Sequence, residues 1–353
     1  MKANSFEAPR IGTLTNGEKN TIADVGSVTV GHATLSFDNL QTGVTVVRPH
    51  AGNPYVDKAP AAAVVINGFG KSVGLIQINE LGTLETPIAL TTTLSVGTVA
   101  QAMVRQAIVE NPEIGRAAGT VNPVVFECND GYLNDTQALA ITEAHYREAL
   151  AAATKVFAQG AVGAGRGMSC FGLKGGIGSA SRRTSGGDWT VGVLVLANFG
   201  RLSQLMVKGV PLGALASERL AQRESQALSL PDKGSIIVIM ATDAPLDYRQ
   251  LRRLAMRAGA GLARTGSNYG HGSGDIALAF STAYTIPHTA PSPPLLDVSL
   301  LAESAMDTLF DAAAEATEQA IVHALFHAQT VTGFVGHTRY ALPELLPDWR
   351  ALL

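Results

Sequence analysis

The segment 261–283, GLARTGSNYGHGSGDIALAFSTA, contains the residues with the clearest potential for catalysis. It joins a predicted helix that ends near Ala260 to a predicted buried strand that begins near Asp275. Within it, Gly266 precedes Ser267. Glycine tolerates positive φ and distorted turns, and it leaves its carbonyl carbon open to attack. A Gly–Ser pair can therefore cut itself: the Ser267 Oγ attacks the Gly266 carbonyl, an ester forms, and water releases the new N-terminus.

The product of that cut would be able to act as an enzyme. A free α-amine has a pKa of about 8, so a useful fraction is neutral at mildly alkaline pH. The amine of Ser267 can then act as the general base for its own hydroxyl, and no histidine is needed. The alternative is a flexible glycine turn with no chemistry, which composition alone favours.

Other residues give weaker signals. Cys128 and Cys170 are predicted to be free thiols without an activating partner. The eight histidines form no HExxH motif, and His323 and His327, four residues apart, have no evident acidic partner. We therefore expect no metal and no cofactor. Lys174, in the string LKGGIG, is expected to be an exposed loop lysine.

The elements that must position Ser267 alternate irregularly between strand and helix. Short, β-branched, mostly apolar runs predict strands that are covered on both faces; these lie at 28–30, 42–47, 62–66, 124–127, 189–197, 236–241 and 275–280. Helical spacing predicts helices at about 96–110, 136–158, 212–227, 246–260 and 302–328. The glycine-rich stretch 160–187 is predicted to be a functional loop. Strands stacked on strands with helices outside predict a four-layer αββα sandwich.

Bulk properties narrow the class of protein. The chain has 353 residues, of which 46% are hydrophobic and 16% charged, with a net charge of -3. This charge balance argues against nucleic acid or anionic membranes as partners. The sequence has no run of about 18 apolar residues and no apolar segment near Met1, so we expect a cytoplasmic protein. The low charged fraction suits a thick core and an oligomer.

Ordered motifs along nearly the whole chain resemble those of the DmpA-type peptidases, the L-aminopeptidase D-amidase/esterases and β-peptidyl aminopeptidases. The matching strings are GEKNTIADVGSVTVGH (17–32), NGFGKSVGL from Asn67, NELGTLETPIALT (79–91), ECNDGYLND (127–135), VGAGRGMSCFGLKGGIGSASR (162–182), VLANFG (195–200), ARTGSNYGHGSGDIALAFST (263–282) and EATEQAI (315–321). The resemblance implies one αββα peptidase domain over 1–353, of the DmpA/ornithine-acetyltransferase type. Self-cleavage would divide it into chains 1–266 and 267–353, which would assemble as a tetramer of αβ units.

The resemblance also implies roles for individual residues. Ser267 would be the nucleophile, and the Asn198 amide and the Tyr132 hydroxyl would stabilise the oxyanion. Asp130 or Glu127 would bind the free ammonium of the substrate. Thr317 and Glu318 are the candidates for a hydroxyl and a glutamate that the family has near its nucleophile.

Three functions remain open at this level. The first is an aminopeptidase or amidase acting on short peptides, amides or esters, with L-, D- and β-amino acid substrates undecided. The second is an acyltransferase of the ornithine-acetyltransferase type, although such enzymes usually present threonine where this chain has Ser267. The third is a non-catalytic relative, against which Asn198 and the intact Gly266–Ser267 pair argue.

Overall fold

Two β-sheets stack face to face, and helices cover both outer surfaces. The computed structural model describes residues 7–223 and 234–353. The strands are β1 Thr29–Phe37, β2 Leu40–Arg48, β3 Asp57–Gly68, β4 Thr83–Leu84, β5 Ile88–Thr92, β6 Val124–Cys128, β7 Ser169–Cys170, β8 Leu173–Lys174, β9 Gly176–Arg183, β10 Thr190–Asn198, β11 Ser235–Thr242, β12 Gly274–Ser281, β13 Ile286–Pro287, β14 Val331–Thr332 and β15 Thr338–Arg339. The helices are α1 Leu75–Leu81, α2 Val96–Glu110, α3 Glu143–Ala151, α4 Leu212–Arg223, α5 Tyr248–Ala255, α6 Ala258–Arg264, α7 Met306–Phe326, α8 Leu342–Leu345 and α9 Trp349–Leu352.

The large sheet has the strand order β13-β3-β12-β11-β10-β9, and β4 pairs with β3 outside that order. The small sheet has the order β1-β2-β5-β6. Most neighbours are antiparallel, but β11–β12 and β5–β6 run parallel. Every residue of β11, SIIVIMAT, is buried, because one face meets the small sheet and the other meets helices.

Three apolar layers hold the elements together. Residues of both sheets, including Leu90 and Ile239, share the core between the sheets. The large sheet packs its other face against α5, α6 and α7, where Leu309 and Val193 lie in one cluster. The small sheet packs against α2 and α3 through residues such as Met103. This arrangement confirms the predicted αββα sandwich, and each of the seven predicted strands is present.

Two helix predictions were wrong in detail. The predicted helix 136–158 is a single 3-10 turn, Thr136–Ala138, followed by Leu139 at φ +46° and then by α3. Thr142 ends the intervening loop by capping α3 together with His145. The predicted helix 246–260 is divided into α5 and α6. The last four residues of the predicted helix 212–227 lie outside the described residues.

The stretch 160–187 includes three strands, which corrects its prediction as a loop throughout. It contains β7, β8 and β9, and β9 pairs with β10 along its length. Glycine lowers strand propensity, which hid β9 from sequence patterns. Here glycine serves close packing: a Cβ on Gly178 would lie 1.9 Å from the Ala320 carbonyl oxygen of α7. Within the described ranges, no helix is long and apolar enough to cross a membrane.

Candidate active site

Four strands of the large sheet begin or end at one level, which we call the site edge. Asn198, at the end of β10, is paired with Ser235, where β11 begins. Ser235 is paired with Gly274, where β12 begins, and Gly274 is paired with Gly68, where β3 ends. The loops that leave these strands therefore gather at the same end of the sandwich.

Gly266 is held in a conformation that excludes other residues. Its φ is +97°, and a Cβ there would lie 1.8 Å from the Gln204 carbonyl oxygen. The Met206 N–H donates to the Thr265 carbonyl oxygen at 2.9 Å, which fixes the preceding peptide. Ser267 follows, half-buried, and its Oγ accepts a hydrogen bond from the Tyr269 N–H at 3.4 Å.

The rest of the Ser267 loop is tied to the site edge through Asn67 of β3. The Asn67 amide nitrogen donates to the carbonyl oxygens of Gly270, at 3.0 Å, and Ser273, at 2.5 Å. The Ser273 hydroxyl donates to Asp275 at 2.5 Å, at the start of β12. The loop is thus anchored on both sides of the nucleophile candidate, which limits how far the Ser267 hydroxyl can move.

Asn198 is 5% exposed, and both ends of its amide are engaged. Its Oδ1 accepts a hydrogen bond from the Ser169 N–H at 2.7 Å, and its Nδ2 donates to the Asn129 carbonyl oxygen at 3.0 Å. These bonds fix the amide with its oxygen toward Ser169 and its nitrogen toward the loop after β6. An Nδ2 group carries two hydrogens, so one donor is left for a substrate.

Asp130 and Glu127 belong to the loop and strand end that cover this site from the small sheet. Asp130 is 1% exposed, and its Oδ1 accepts hydrogen bonds from the Thr92 hydroxyl at 2.6 Å and from the Asn134 amide at 3.1 Å. Burial raises the pKa of Asp130 to about 6, and the hydrogen bonds to its carboxylate oppose part of this rise.

Glu127 is also buried, but both of its carboxylate oxygens are engaged. Oε1 accepts a hydrogen bond from the Lys71 N–H at 2.8 Å, and Oε2 accepts one from the Thr93 hydroxyl. Each carboxylate accepts two hydrogen bonds, but both of those at Asp130 go to Oδ1, which leaves its Oδ2 for an ammonium.

Tyr132 lies between side chains from the C-terminal part of the chain. Its ring stacks on His337 at a centroid distance of 4.5 Å, and the Arg339 guanidinium lies 3.5 Å from its centroid. His337 Nδ1 also makes a 2.9 Å hydrogen bond with the Tyr132 carbonyl oxygen. The ring is therefore held on both faces. These contacts fix the position of the Tyr132 hydroxyl, which a group that acts on a substrate needs.

Thr317 and Glu318 lie on α7 and contact α6. The Thr317 hydroxyl donates to the Ala313 carbonyl oxygen at 2.7 Å, and its side chain packs beside Gly261. Glu318 forms an ion pair with Arg264 at 3.7 Å. These contacts do not join either residue to the loops of the site edge, so the roles expected for them stay predictions.

The comparison with protein families identifies the group to which this sandwich belongs. Residues 20–339 match the model of peptidase family S58. The chain belongs to peptidase family S58. This S58 peptidase is 38% identical to the β-peptidyl aminopeptidase of Sphingosinicella microcystinivorans over 357 aligned positions, which cover 96% of this chain and 88% of that protein.

Solved structures agree with the family and with the fold. The PH0078 protein from Pyrococcus horikoshii superimposes with a TM-score of 0.90 at 47% identity, covering 99% of each chain. The L-aminopeptidase D-Ala-esterase/amidase from Ochrobactrum anthropi, described as a variant of the Ntn hydrolase fold, has a TM-score of 0.86 at 33% identity and 98% coverage of each chain. Family membership, with these relatives, makes this S58 peptidase an enzyme of the serine-aminopeptidase type.

Lys174 of this S58 peptidase was wrongly predicted to be exposed. It lies in β8, and its side chain is fully buried. Sequence reasoning also missed Asn67 and Gln204, which hold the nucleophile loop. Asn67 could have been noticed because it is a polar residue directly before Gly68, at the end of a predicted strand. Gln204 contacts Gly266 through its backbone carbonyl oxygen, so its residue type gives no indication of this contact.

The remaining candidates of the S58 peptidase have structural partners. Cys128 and Cys170 are buried and form no disulfide, as expected, and burial raises the pKa of Cys128 well above its usual value. The His323 ring bonds the Ser179 carbonyl oxygen through Nδ1 at 2.6 Å, and it lies 4.9 Å from the His327 ring. Over residues 7–223 and 234–353, no group of three or more His, Cys, Asp or Glu residues is arranged to hold a metal ion.

Proposed function

We propose that this S58 peptidase cuts its chain between Gly266 and Ser267 and then hydrolyses substrates with a free amino group, using the new N-terminal serine. The observation that carries the proposal is the backbone at Gly266, which has a φ of +97° and passes so close to the Gln204 carbonyl oxygen that a Cβ would lie 1.8 Å from it. Glycine adopts this conformation readily, whereas a residue with a side chain does not fit, and glycine leaves its carbonyl carbon open to the Ser267 hydroxyl. The products would be chains 1–266 and 267–353.

The cut proceeds in two steps that conserve atoms. The Ser267 Oγ attacks the Gly266 carbonyl carbon, the C–N bond to Ser267 breaks, and the nitrogen gains a proton to become a free amine. Water then hydrolyses the Gly266 ester and restores the hydroxyl. In the mature enzyme the amine accepts the hydroxyl proton during attack on a substrate carbonyl and returns it to the leaving group.

The negative charge that develops on the substrate carbonyl oxygen requires donors, which we assign to Asn198 and Tyr132. The second Nδ2 hydrogen of Asn198 and the Tyr132 hydroxyl are suited to the task because neighbouring contacts hold both side chains in place. Donors that are already oriented need no reorganisation in the transition state, so their stabilising effect is large.

The substrate's ammonium group is assigned to Asp130. A buried carboxylate with acceptor capacity left is an unfavourable arrangement in the empty site, and a bound ammonium relieves it. Glu127 would support the loop through Lys71 and Thr93. This anchor selects substrates that end in an amine: short peptides, amides and esters, of the classes named for the β-peptidyl aminopeptidase and the L-aminopeptidase D-Ala-esterase/amidase.

Glu318 is retained as the candidate acidic group near the nucleophile. Its partner, Arg264, lies in the last turn of α6, three residues before Ser267. Thr317 packs against the same helix. If Glu318 acts on the reacting groups, then Glu318→Gln lowers kcat in fully cleaved enzyme by about 10²-fold or more, the lower end of the range for a single acid–base group. An unchanged kcat would remove Glu318 from the mechanism, and Thr317→Val tests Thr317 in the same way.

The decisive experiment is mass spectrometry of purified protein, with a panel of p-nitroanilides of L-, D- and β-amino acids. We expect two chains, the smaller beginning at Ser267, and release of p-nitroaniline. Ser267→Ala is expected to stay one chain of about 36.7 kDa without activity, whereas the exposed-residue control Ser36→Ala should be cut normally. An active Ser267→Ala enzyme contradicts the proposal. Light scattering of the same samples tests the proposed tetramer of αβ units.

A further inference from the structure

The Lys174 side chain is buried, and its Nζ lies within hydrogen-bond distance of three backbone acceptors. Its Nζ donates to the carbonyl oxygens of Gly165 at 2.9 Å, Met168 at 2.8 Å and Gly175 at 2.7 Å. An ammonium group has three N–H donors and no acceptor, so three carbonyls satisfy its charged form completely. A neutral amine in the same place would turn a lone pair toward one of these oxygens.

One of the three acceptors connects Lys174 to Asn198. The peptide unit Met168–Ser169 accepts from Lys174 Nζ at its oxygen, and its N–H donates to Asn198 Oδ1 at 2.7 Å. Oxygen and nitrogen of one amide are conjugated, and this holds for both the peptide and the Asn198 side chain. A continuous line of hydrogen bonds therefore runs from the ammonium through two amides to the Nδ2 hydrogens of Asn198. Such chains polarise their members in one direction.

We propose that Lys174 is a positioning residue for the hydrolytic reaction, which orients Asn198 through the Met168–Ser169 peptide and strengthens its Nδ2–H as an oxyanion donor. The inference rests on the proposed function, because it takes Asn198 as that donor. It adds a charged group that touches neither the substrate nor Ser267, and it explains why the Asn198 amide has one fixed orientation.

The cost of burying this charge argues against a role in packing alone. Burial lowers the pKa of Lys174 well below its usual value. The hydrogen bonds of Lys174 go to carbonyl oxygens and not to a carboxylate, and the attraction of Asp130 offsets only part of the desolvation. A polarising charge one peptide away from a catalytic amide supplies a function that an apolar side chain cannot.

A double-mutant cycle separates polarisation of Asn198 from general support of the fold. Lys174→Met is expected to lower kcat by about 10- to 100-fold with little change in KM, since weakening an oxyanion donor costs less than the 10²–10³ typical of removing one. In an Asn198→Ala background, the same change is expected to lower kcat by less than about threefold, because coupled residues are not additive. Equal losses in both backgrounds would overturn the inference.

The control is Lys58→Met, which removes a mostly buried lysine paired with Glu85 at the opposite end of β3. It is expected to lower thermal stability and leave kcat, counted per cleaved chain, unchanged. An undiminished kcat in Asn198→Ala alone contradicts the proposed function, whereas additivity of Lys174→Met contradicts only the present inference.

A second variant decides the case if Lys174→Met does not fold or does not cut itself. Replacing the Met168–Ser169 amide with an ester removes the N–H that donates to Asn198 and leaves Lys174 in place. We expect a folded, cleaved enzyme whose kcat is about 10- to 100-fold lower at similar KM. Full activity of the ester enzyme would overturn the inference.

Discussion

Asn198 donates a hydrogen bond to the Asn129 carbonyl oxygen across 3.0 Å, and this bond links the two sheets at the site edge. Asn198 is the last residue of β10 in the large sheet, and Asn129 directly follows β6 in the small sheet. The proposed oxyanion donor and the loop that carries the proposed ammonium anchor are therefore fixed relative to each other. An enzyme that recognises a chain end needs that distance to be constant.

Removal of the Asn198 amide is expected to affect catalysis more than binding. Asn198→Ala should lower kcat by about 10²–10³ with a smaller change in KM, because the donor acts on charge that develops in the transition state. Steady-state kinetics of cleaved enzyme on a p-nitroanilide measures this. As a control, Asn53→Ala removes an amide that bonds Asn111 far from the site edge, and its kcat should match the wild type. A kcat within about threefold for Asn198→Ala would exclude this role.

Gly266→Ala is expected to slow self-cleavage strongly and to destabilise the uncut chain. The new Cβ would lie 1.8 Å from the Gln204 carbonyl oxygen, at a φ of +97° that L-residues rarely adopt. Such a position costs about 1–3 kcal/mol before the clash is counted. The rate of appearance of chain 267–353, followed by gel after synthesis, checks the first effect, and urea unfolding of uncut Ser267→Ala protein with and without Gly266→Ala checks the second.

Gly97→Ala is the matched control for this substitution. A Cβ on Gly97 meets nothing within 4 Å, and the residue lies in the first turn of α2. Alanine there should stabilise the chain by up to about 1 kcal/mol and leave cleavage unchanged. Normal self-cleavage of Gly266→Ala would show that the backbone conformation at Gly266 is not needed for the reaction.

The strands and the nucleophile loop could be predicted because their signals are local. Apolar, β-branched runs such as that of β11 mark strands buried on both faces, and Gly266 before Ser267 is visible in the sequence itself. The prediction of one helix over 136–158 was wrong because apolar residues keep helical spacing through this range although the backbone does not. The 3-10 turn Thr136–Ala138 ends before Leu139, and α3 begins only after its cap at Thr142.

The support of the site could not be predicted, because it depends on contacts distant in sequence. The sequence around Lys174 predicts an exposed loop lysine, because the hydrogen bonds from its Nζ to the carbonyl oxygens of Gly165 and Met168 are formed only in the folded chain. The burial of Asp130 depends on Thr92, 38 residues away. Helical periodicity also could not say which groups Thr317 and Glu318 would face on α7.

Tyr132→Phe is expected to lower kcat while preserving the fold around the ring. The substitution removes only the hydroxyl, so the stacking with His337 and the contact with Arg339 remain. We expect kcat to fall by about 10²-fold, near the lower range for loss of an oxyanion donor, with the melting temperature unchanged. Tyr132→Ala should additionally lower the melting temperature. Comparable kcat values for wild type and Tyr132→Phe would assign Tyr132 to structure alone.

The acid limb of the pH profile should contain a step that reports Asp130. Burial raises the pKa of this carboxyl to about 6, and the charged form is required to bind an ammonium. Protonation of the Ser267 amine, whose pKa is about 8, lowers both kcat and kcat/KM first. We expect kcat/KM to fall more steeply as the pH drops through about 6, while the second step of kcat lies at lower pH because the bound ammonium favours the carboxylate. Asp130→Asn should raise KM and abolish the difference between the two limbs. Identical limbs in the wild type would argue that Asp130 does not contact the substrate's amine.

The Asp130 carboxyl should also make the free energy of unfolding depend on pH, in a direction that its raised pKa determines. The pKa of Asp130 is near 6 in the folded chain and close to its usual 3.8 when unfolded, so between these pH values the folded state holds more protons. Its contribution to the free energy of unfolding therefore decreases as pH rises from about 4 to about 6, by roughly 3 kcal/mol at about 1.4 kcal/mol per pKa unit. Urea unfolding of the uncut Ser267→Ala chain, with and without Asp130→Asn, should give a difference that grows across this range in favour of the asparagine variant. A difference that is constant with pH would mean that Asp130 is not titrating in the buried state from which its role in binding is inferred.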